Sequence, residues 1–360
     1  MDCVPRLEND GRRHRLTMLL RLAHRRYRLA FRAPVRTTHG VWTEREGVII
    51  RLEDERGGKG WGEAAPLAEF GTESAAEIET ALGSFNGAMV PAQAAALPRR
   101  LVCLRSALAA ALADLAPSAP AGAAPAGIPA YLPVAALLPA GPAAIAQARA
   151  KGDAGFRTFK WKVGVGDLSD EMVLLDDLCA VLPPGAKLRL DANGAWDRRR
   201  AEQWLERCAE RPVEYVEQPI APEARGANDL LFGLATDYPT PIALDESLTG
   251  EEAIGRWLKA GWPGLFVVKP SLLGGPEPTL LHLEKVAGSR VVFSSALETA
   301  VGARAALRIA FAWRGKAFAL GFGVWPLFAD GRFDGPAAGP FIRVEDVDRL
   351  DAEAVWNALN

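Results

Sequence analysis

Residues 156–163 read Phe-Arg-Thr-Phe-Lys-Trp-Lys-Val, a short apolar and aromatic stretch that carries two lysines two positions apart. Side chains alternate between the two faces of a strand, so Lys160 and Lys162 share one face while Phe159 and Trp161 occupy the other. Two like charges side by side repel each other, and their burial costs more still. An isolated pair of this kind is usually an exposed edge strand. The rest of the chain, however, favours a functional interpretation of this lysine pair.

The composition is that of an ordinary globular protein with 360 residues, of which 49% are hydrophobic and 24% are charged. The 42 Lys and Arg against 44 Asp and Glu give a net charge of −2, so no basic field indicates a nucleic-acid partner. No charge-free run of 18 apolar residues predicts a membrane span. The four cysteines are scattered without a CxxC motif, which is typical of reduced thiols. We therefore predict a cytoplasmic protein without nucleic-acid or membrane partners, and the oligomeric state stays open.

The amino-terminal third divides into a tail, a cap and a linker. Residues 1–15 are polar and arginine-rich without the apolar core of a signal sequence, and they predict a disordered tail. Residues 16–115 begin with strand-like alternation and continue with helical spacing, which predicts an α+β capping domain. A polar stretch, 32–40, is too hydrophilic for the core and predicts a loop within this domain. The Ala/Pro/Gly stretch 116–127 is too poor in bulky residues to build a core and predicts a linker.

Residues 128–328 show a regular alternation of apolar runs and helical periodicity. Eight parallel strands alternating with helices close a barrel, so we predict an α/β fold with a TIM-type barrel. The eight runs are Tyr131–Leu137, Phe156–Val163, Lys187–Leu190, Val213–Val216, Ile242–Leu244, Leu265–Val268, Arg290–Phe293 and Ala317–Leu320. The remaining segment, 329–360, is predicted to return toward the cap.

Polar residues stand at the ends of six successive runs. They are Lys162, Asp191, Glu217, Asp245, Lys269 and Ser294. The carboxyl ends of parallel strands meet at one mouth of a barrel, where barrel enzymes place their chemistry. A single acidic residue after a strand is most often a helix N-cap. Three converging carboxylates would repel one another, however, and a hard divalent cation resolves that conflict.

These motifs resemble the enolase superfamily, in its muconate-lactonising-enzyme subgroup, from about Leu20 to about Phe328. The residues that carry the resemblance are Lys160-Trp-Lys162, Leu190-Asp191-Ala-Asn193, Val216-Glu217-Gln218-Pro219, Leu244-Asp245-Glu246-Ser247, Val268-Lys269-Pro270 and, in the cap, Gly60–Leu67. Within the subgroup the chain is most similar to the o-succinylbenzoate synthases, through Pro34–Thr37, the Pro66-Leu67 turn and Ser294–Thr299. The resemblance implies a modified enolase-type barrel under an amino-terminal cap.

The resemblance also implies a ligand set for one Mg²⁺, with Mn²⁺ as an alternative metal. The three carboxylates that match are Asp191, Glu217 and Asp245. The metal would hold the carboxylate of a small-molecule substrate and stabilise the enediolate that forms when the α-proton leaves. The groups that would orient the ligands and lysines are Asn193, Gln218 and Glu246.

Lysine roles follow from the same resemblance. Lys162 would act as the base, and a neighbouring ammonium at Lys160 would lower its pKa and contact the bound carboxylate. Lys269 would stabilise the intermediate as a cation on the opposite face. The residues expected to contact substrate are Arg36, Thr37, Ser294 and Ser295.

The implied reaction is a syn dehydration of 2-succinyl-6-hydroxy-2,4-cyclohexadiene-1-carboxylate to 2-succinylbenzoate. Racemisation of N-succinylamino acids and epimerisation of dipeptides are alternatives on the same scaffold. Dipeptide epimerases of the subgroup usually carry an acidic DxD motif where this chain has Gly321-Phe322-Gly323, and the racemases often carry an arginine at the position of Leu272. A non-catalytic binding barrel is a further alternative, which would predict a lost lysine or carboxylate.

Overall fold

The computed structural model describes residues 18–37, 40–116, 129–285, 288, 290–316, 318–337 and 339–359. The predicted tail at 1–15 lies outside the described residues, and so does the predicted linker apart from Ala116. The domain boundaries assigned from the sequence therefore stay predictions. The described residues form an antiparallel sheet with helices, a curled parallel sheet ringed by helices, and a carboxyl-terminal segment that contacts both.

The cap sheet has four antiparallel strands in the order β3-β2-β1-β4. They are β1 (Leu20–Thr37), β2 (Gly40–Glu53), β3 (Lys59–Ala64) and β4 (Ala88–Met89). The alternation of apolar residues predicts the first of these strands, but the prediction of a loop over 32–40 is wrong for residues 32–37, while residues 38 and 39 lie outside the described part of the chain. Strand β1 continues to Thr37, with Arg36 opposite Val41 and Thr37 opposite Gly40, after an irregularity between Ala30 and Val35. Pairing with β2 satisfies the backbone N–H and C=O groups here, so the strand continues although its side chains are polar.

Helices cover one face of the cap sheet. They are Ala75–Gly83, Pro91–Ala96 and Val102–Asp114, preceded by a 3₁₀ turn at Ala68–Phe70. Ser74 caps the first helix in a capping box with Glu77. The third helix lies directly on β3, where a Cβ at Gly60 or Gly62 would overlap carbonyl oxygens of that helix. Glycine is therefore required for this close approach.

Seven parallel strands form the barrel wall, in the order β12-β11-β10-β9-β8-β7-β6. They are β6 (Ala136–Leu138), β7 (Thr158–Lys162), β8 (Lys187–Asp191), β9 (Val213–Glu217), β10 (Ile242–Leu244), β11 (Leu265–Val268) and β12 (Arg290–Phe293). The first predicted run is divided, because its beginning forms β5 (Tyr131–Pro133), which pairs with β13 (Phe341–Arg343) in a separate sheet. The TIM-type α/β fold is confirmed.

Among the described residues, which do not include Ala317, the eighth predicted strand is reduced to two bridging residues. Leu320 pairs with Val134 on one side and Gly321 pairs with Ser294 on the other. Backbone hydrogen bonds accompany both bridges, including Leu320 N–H to Pro133 O at 2.7 Å and Gly321 N–H to Phe293 O at 2.8 Å. These few bonds close the seven-stranded sheet into a barrel.

The barrel helices lie outside the strands, as the helical periodicity predicts. They are Ala143–Asp153, Leu168–Val181, Arg198–Cys208, Ala227–Asp237, Gly250–Lys259, Pro276–Lys285 and Ala300–Ala312. Between wall and helices lies an apolar layer in which Trp161 meets Trp204 edge to face and Trp204 stacks on Trp196. Phe159 and Trp161 are fully buried in this layer, so the alternation of the lysine-bearing strand is confirmed. Among the helices described, none is long and apolar enough to span a bilayer.

The carboxyl-terminal segment returns to the cap. Phe31 of β1 pairs with Phe328, and two helices follow at Val344–Asp348 and Ala352–Ala358. Trp356 packs against Trp61 with ring centroids 5.5 Å apart, and the Arg25 guanidinium lies 4.3 Å from the Trp356 ring centroid. Cap and barrel are thus joined at a second place besides the mouth of the barrel.

The narrow closure of the barrel gives a first prediction. A Cβ at Gly321 would overlap the Ser294 hydroxyl and lie 2.9 Å from the Ser294 Cβ. Gly321→Ala should therefore lower the free energy of unfolding by about 1–3 kcal/mol, as overpacking does. Gly233→Ala is the matched control, because a Cβ there meets nothing within 4 Å and alanine favours a helix. Urea unfolding measures the free energy of unfolding of both variants. Equal stability of the two would contradict the close contact between Gly321 and Ser294.

Candidate active site

The polar residues predicted from the strand repeat do reach one mouth of the barrel. Lys162, Asp191 and Glu217 are the last residues of three adjacent strands. They are also aligned across those strands, since Lys162 pairs in register with Asp191 and Asp191 with Glu217. Asp245 and Lys269 follow directly after β10 and β11. Parallel pairing is what places all these side chains at the same end of the barrel.

Lys160 connects two of the carboxylates. Its Nζ lies 2.8 Å from Asp191 Oδ2 and 2.7 Å from Glu217 Oε1, and its side chain is 14% exposed. Although burial acts to lower it, the pKa of Lys160 is raised well above its ordinary value by the charges of Asp191 and Glu217. Lys160 therefore stays a cation.

Lys162 has the opposite electrostatic environment. Burial lowers the pKa of its ammonium, and the charge of Lys160 lowers it further, while Asp191 acts in the other direction. Burial acts to raise the pKa of Asp191, but Lys160 and Lys162 lower it. Of the two lysines on this strand, Lys162 is thus the one that gives up its proton more readily.

Lys269 is held by a carboxylate and by an aromatic ring of the cap. Its Nζ donates to Asp245 Oδ1 and lies 4.5 Å from the centroid of the Phe70 ring. Phe70 belongs to the 3₁₀ turn at Ala68–Phe70, and its carbonyl accepts a hydrogen bond from Thr249 Oγ1 at 2.6 Å. The face of an aromatic ring attracts a cation. Phe70 cannot be identified from the sequence, because nothing in the cap motif indicates which side chain will lie over the barrel.

The three residues predicted to orient ligands lie among the strand ends. Asn193 Nδ2 donates to Glu246 Oε1 at 2.9 Å. Gln218 Oε1 accepts from the Asp245 amide at 2.9 Å, while Gln218 Nε2 donates to Ser247 Oγ at 2.8 Å. Burial and the charges of Asp245 and Asp191 raise the pKa of Glu246 to about 7. Gln218 therefore fixes the backbone of one predicted ligand, and Asn193 links the loops that follow β8 and β10.

Backbone strain is concentrated at the same mouth. Asn193, Gln218 and Leu297 have φ values of +42°, +36° and +60°, in the left-handed region that residues other than glycine seldom adopt. All three follow barrel strands. Strain of this kind persists where the surrounding structure enforces it, often at functional sites.

Of the four residues predicted to contact substrate, the structure describes the side chains of Ser294 and Ser295. Ser294 and Ser295 are 7% and 5% exposed. The Ser294 hydroxyl donates to Gly321 O at 3.3 Å, and the Ser295 hydroxyl donates to Glu298 Oε2 at 3.1 Å. The side chains of Arg36 and Thr37 lie outside what the structure describes. A substrate contact by any of these four residues stays a prediction.

The carboxylates are suited to a divalent cation. Glu217 Oε2 is buried and has no hydrogen-bond partner among the described residues. Burial and the charge of Asp191 raise the pKa of Glu217 well above its ordinary value, and a bound divalent cation would oppose that shift. In the described part of the chain, no group of three or more Asp, Glu, His or Cys side chains is arranged closely enough to hold a metal ion. Lysine ammonium groups contact Asp191, Glu217 and Asp245 instead, and oxygen donors of this type fit Mg²⁺.

Two known families match the two parts of the chain. The Enolase C-terminal domain-like family matches residues 143–341, which is more than half of the chain. The MenC N-terminal domain family matches residues 21–109, within the cap.

Several characterised proteins and solved structures are similar to the chain. An o-succinylbenzoate synthase of Thermosynechococcus vestitus is 40% identical over 309 residues, covering 85% of this chain and 92% of the relative. A hydrophobic dipeptide epimerase of Roseobacter litoralis is 34% identical over 242 residues, covering 60% of this chain and 65% of the relative.

The structural comparison agrees with the sequence comparison. The crystal structure of an o-succinylbenzoate synthase from Thermosynechococcus elongatus, with magnesium in its active site, has a TM-score of 0.78 and 36% identity. That similarity covers 94% of this chain and 99% of the crystallised one. A muconate lactonizing enzyme from Pseudomonas fluorescens, at 22% identity and a TM-score of 0.76, has the same fold. The chain is therefore an enzyme of the enolase superfamily and belongs to its o-succinylbenzoate synthase family.

Proposed function

We propose that the enzyme is an o-succinylbenzoate synthase that dehydrates 2-succinyl-6-hydroxy-2,4-cyclohexadiene-1-carboxylate to 2-succinylbenzoate. The observation that carries the proposal is the 40% identity with a synthase over 92% of that relative's length. The mouth of the barrel supports it, since lysines on two different strands flank a set of carboxylates. The reaction would serve menaquinone or phylloquinone synthesis in the cytoplasm, with a small carboxylate as the partner.

Lys162 is proposed as the group that moves the proton. Its lowered pKa leaves a larger neutral fraction near pH 7 than an ordinary lysine has. After taking the α-proton, the same ammonium can protonate the departing hydroxyl on the same face of the ring. One residue then serves as base and acid, and the overall change is a syn loss of water that leaves the ring aromatic.

Lys160 and Lys269 are proposed to act through their charge. Lys160 is kept cationic by two carboxylates, so it can attract the substrate carboxylate and disfavour the charged form of Lys162. Lys269 lies against Asp245 and the face of the Phe70 ring. A carboxylate and the face of an aromatic ring are both contacts that attract a cation, which suits a residue that stabilises negative charge in the transition state.

Asp191, Glu217 and Asp245 are proposed to hold Mg²⁺, with Mn²⁺ as an alternative. The bound ion would supply positive charge where negative charge develops on the substrate carboxylate. The unpartnered Glu217 Oε2 supports this assignment. Asn193, Gln218 and Glu246 would orient the ligands and lysines, because their hydrogen bonds join the loops that carry them. Arg36 and Thr37 of the cap are proposed to contact substrate, and so are Ser294 and Ser295.

Racemisation or epimerisation is the second candidate, since a dipeptide epimerase is among the relatives. Two features favour dehydration. Gly321 packs so closely against Ser294 that even a Cβ would overlap the hydroxyl, so an acidic side chain cannot replace it there. Leu272 is 2% exposed and packs in the apolar core of the cap, which provides no place for a substrate-facing arginine.

Metal removal tests the ligand assignment. Treatment with EDTA should abolish dehydration, and added Mg²⁺ should restore it. Asp191→Asn, Glu217→Gln and Asp245→Asn should each lower kcat/KM by about a hundredfold or more, because charge stabilisation is lost. Asp176→Asn is the matched control, since Asp176 lies on the barrel helix Leu168–Val181, pairs with Arg207 and Arg211, and is not a predicted ligand. Full activity after exhaustive chelation would refute the metal site.

Arginine replacements separate the proposed lysine roles. Arginine keeps the charge but does not release a proton. Lys162→Arg should therefore have no measurable dehydration, whereas Lys269→Arg should keep a reduced rate. Lys187→Arg, at an exposed position on β8, controls for the substitution itself. Steady-state kinetics on folded protein measure the difference, and a fully active Lys162→Arg would exclude that lysine as the base.

Solvent deuterium exchange distinguishes the two candidate reactions. A dedicated synthase should dehydrate the cyclohexadiene and leave the α-hydrogen of both enantiomers of an N-succinylamino acid unexchanged. Proton magnetic resonance in deuterium oxide follows the α-hydrogen directly. Rapid exchange and racemisation without any dehydration would show that the second candidate is correct.

A further inference from the structure

Arg45, on β2 of the cap, is almost completely buried, with 4% of its surface exposed. Its guanidinium donates to five backbone carbonyl oxygens on three segments. The acceptors are Glu46 at 3.0 Å, Ala65 at 2.6 Å, Pro66 at 2.6 Å, Ala296 at 3.2 Å and Leu297 at 3.2 Å. Two of them lie in the cap loop after β3, and two lie in the barrel loop after β12. One side chain therefore joins the cap to the barrel through its full set of donors.

Glu63 holds the adjacent part of the same barrel segment with the opposite charge. Its carboxylate accepts from the amides of Thr299 at 2.9 Å and Gly302 at 2.8 Å, and from the Tyr27 hydroxyl at 2.6 Å. Glu63 is 3% exposed. A cation on the carbonyls of this segment and an anion on its amides fix it to the cap from both ends.

The two loops that Arg45 joins lead to the active site. The cap loop, residues 65–70, ends at Phe70, whose ring lies over Lys269. The barrel loop, residues 295–299, follows Ser294 at the mouth. Arg45 itself contacts neither Lys269 nor a predicted metal ligand through the hydrogen bonds described.

We propose that Arg45 is a positioning residue, which holds the cap loop against the barrel loop and thereby keeps Phe70 over Lys269. Only a guanidinium has enough donors in a planar arrangement to satisfy carbonyls on both loops, since an ammonium has three. The expected loss of dehydration activity rests on the proposed function. The expected loosening of the two loops does not depend on which reaction the enzyme catalyses.

Arg45→Met and Arg45→Lys test the proposal in the full-length protein. Hydrogen exchange measured by mass spectrometry should show faster exchange in both loops, residues 65–70 and 295–299, for either variant. The Mg²⁺ affinity measured by calorimetry should stay within about twofold of the wild type, because the carboxylates are on barrel strands. The kcat/KM of dehydration should fall by about 10- to 100-fold, as small misplacements of active-site groups do.

Arg25→Met is the matched control. Arg25 also lies in the cap and donates to a backbone carbonyl, that of Trp356, but it does not bridge the two loops. It should lose stability without changing loop exchange or kcat/KM per folded molecule. Arg45→Lys keeps a charge and a long stem, so it serves where Arg45→Met does not fold.

Phe70→Leu completes a double-mutant cycle with Arg45→Lys. If Arg45 acts by placing Phe70, the double variant should be no slower than the slower single variant. Additive losses, or a normal kcat/KM with only a lowered melting temperature, would overturn the proposal. Unchanged exchange in both loops would overturn it as well, even in a protein that proves to catalyse another reaction. Absence of dehydration in the wild type, by contrast, would refute only the proposed function.

Discussion

The balance of buried charge at the mouth of the barrel is the constraint on which the site depends. Parallel pairing brings three carboxylates and three lysines to the ends of neighbouring strands or close to them, where the carboxylates are buried and the lysines are half-buried. Lys160 lies within 2.8 Å of both Asp191 and Glu217, and this arrangement leaves Lys162 as the lysine with the lowered pKa. A buried charge is tolerated only when it is paired, so each ionised group limits the protonation of its neighbours.

The cap completes this arrangement rather than simply covering it. Phe70 lies over Lys269, and the loop that carries Phe70 is attached to the barrel through Arg45. Glu63 attaches the following barrel segment through its amides. Polar side chains with every partner satisfied can specify one relative placement of two structural units, whereas apolar contacts alone permit sliding. The interface therefore belongs to the chemistry of the site as much as to the stability of the fold.

Much of the fold can be predicted from the chain because its patterns are local. The alternation around Lys160 identifies a strand, and its repetition with helices identifies a parallel barrel with functional residues at the strand ends. The irregular parts could not be predicted this way. The division of the first run into β5 and β6, and the reduction of the eighth strand to Leu320 and Gly321, depend on pairing with distant segments. The continuation of β1 through the polar stretch 32–37 depends on its partner β2.

By itself the sequence determined which residues reach the mouth of the barrel, because the regular spacing of strands and helices places one polar residue at the carboxyl end of each strand. It did not determine which lysine binds which carboxylate, that Phe70 would lie over Lys269, or that Arg45 would join the two loops. Those contacts bring together residues 20 to 252 positions apart, and no local periodicity encodes them. Only the closed barrel and the docked cap bring these side chains within hydrogen-bonding distance, because the geometry of the whole assembly decides which charges meet.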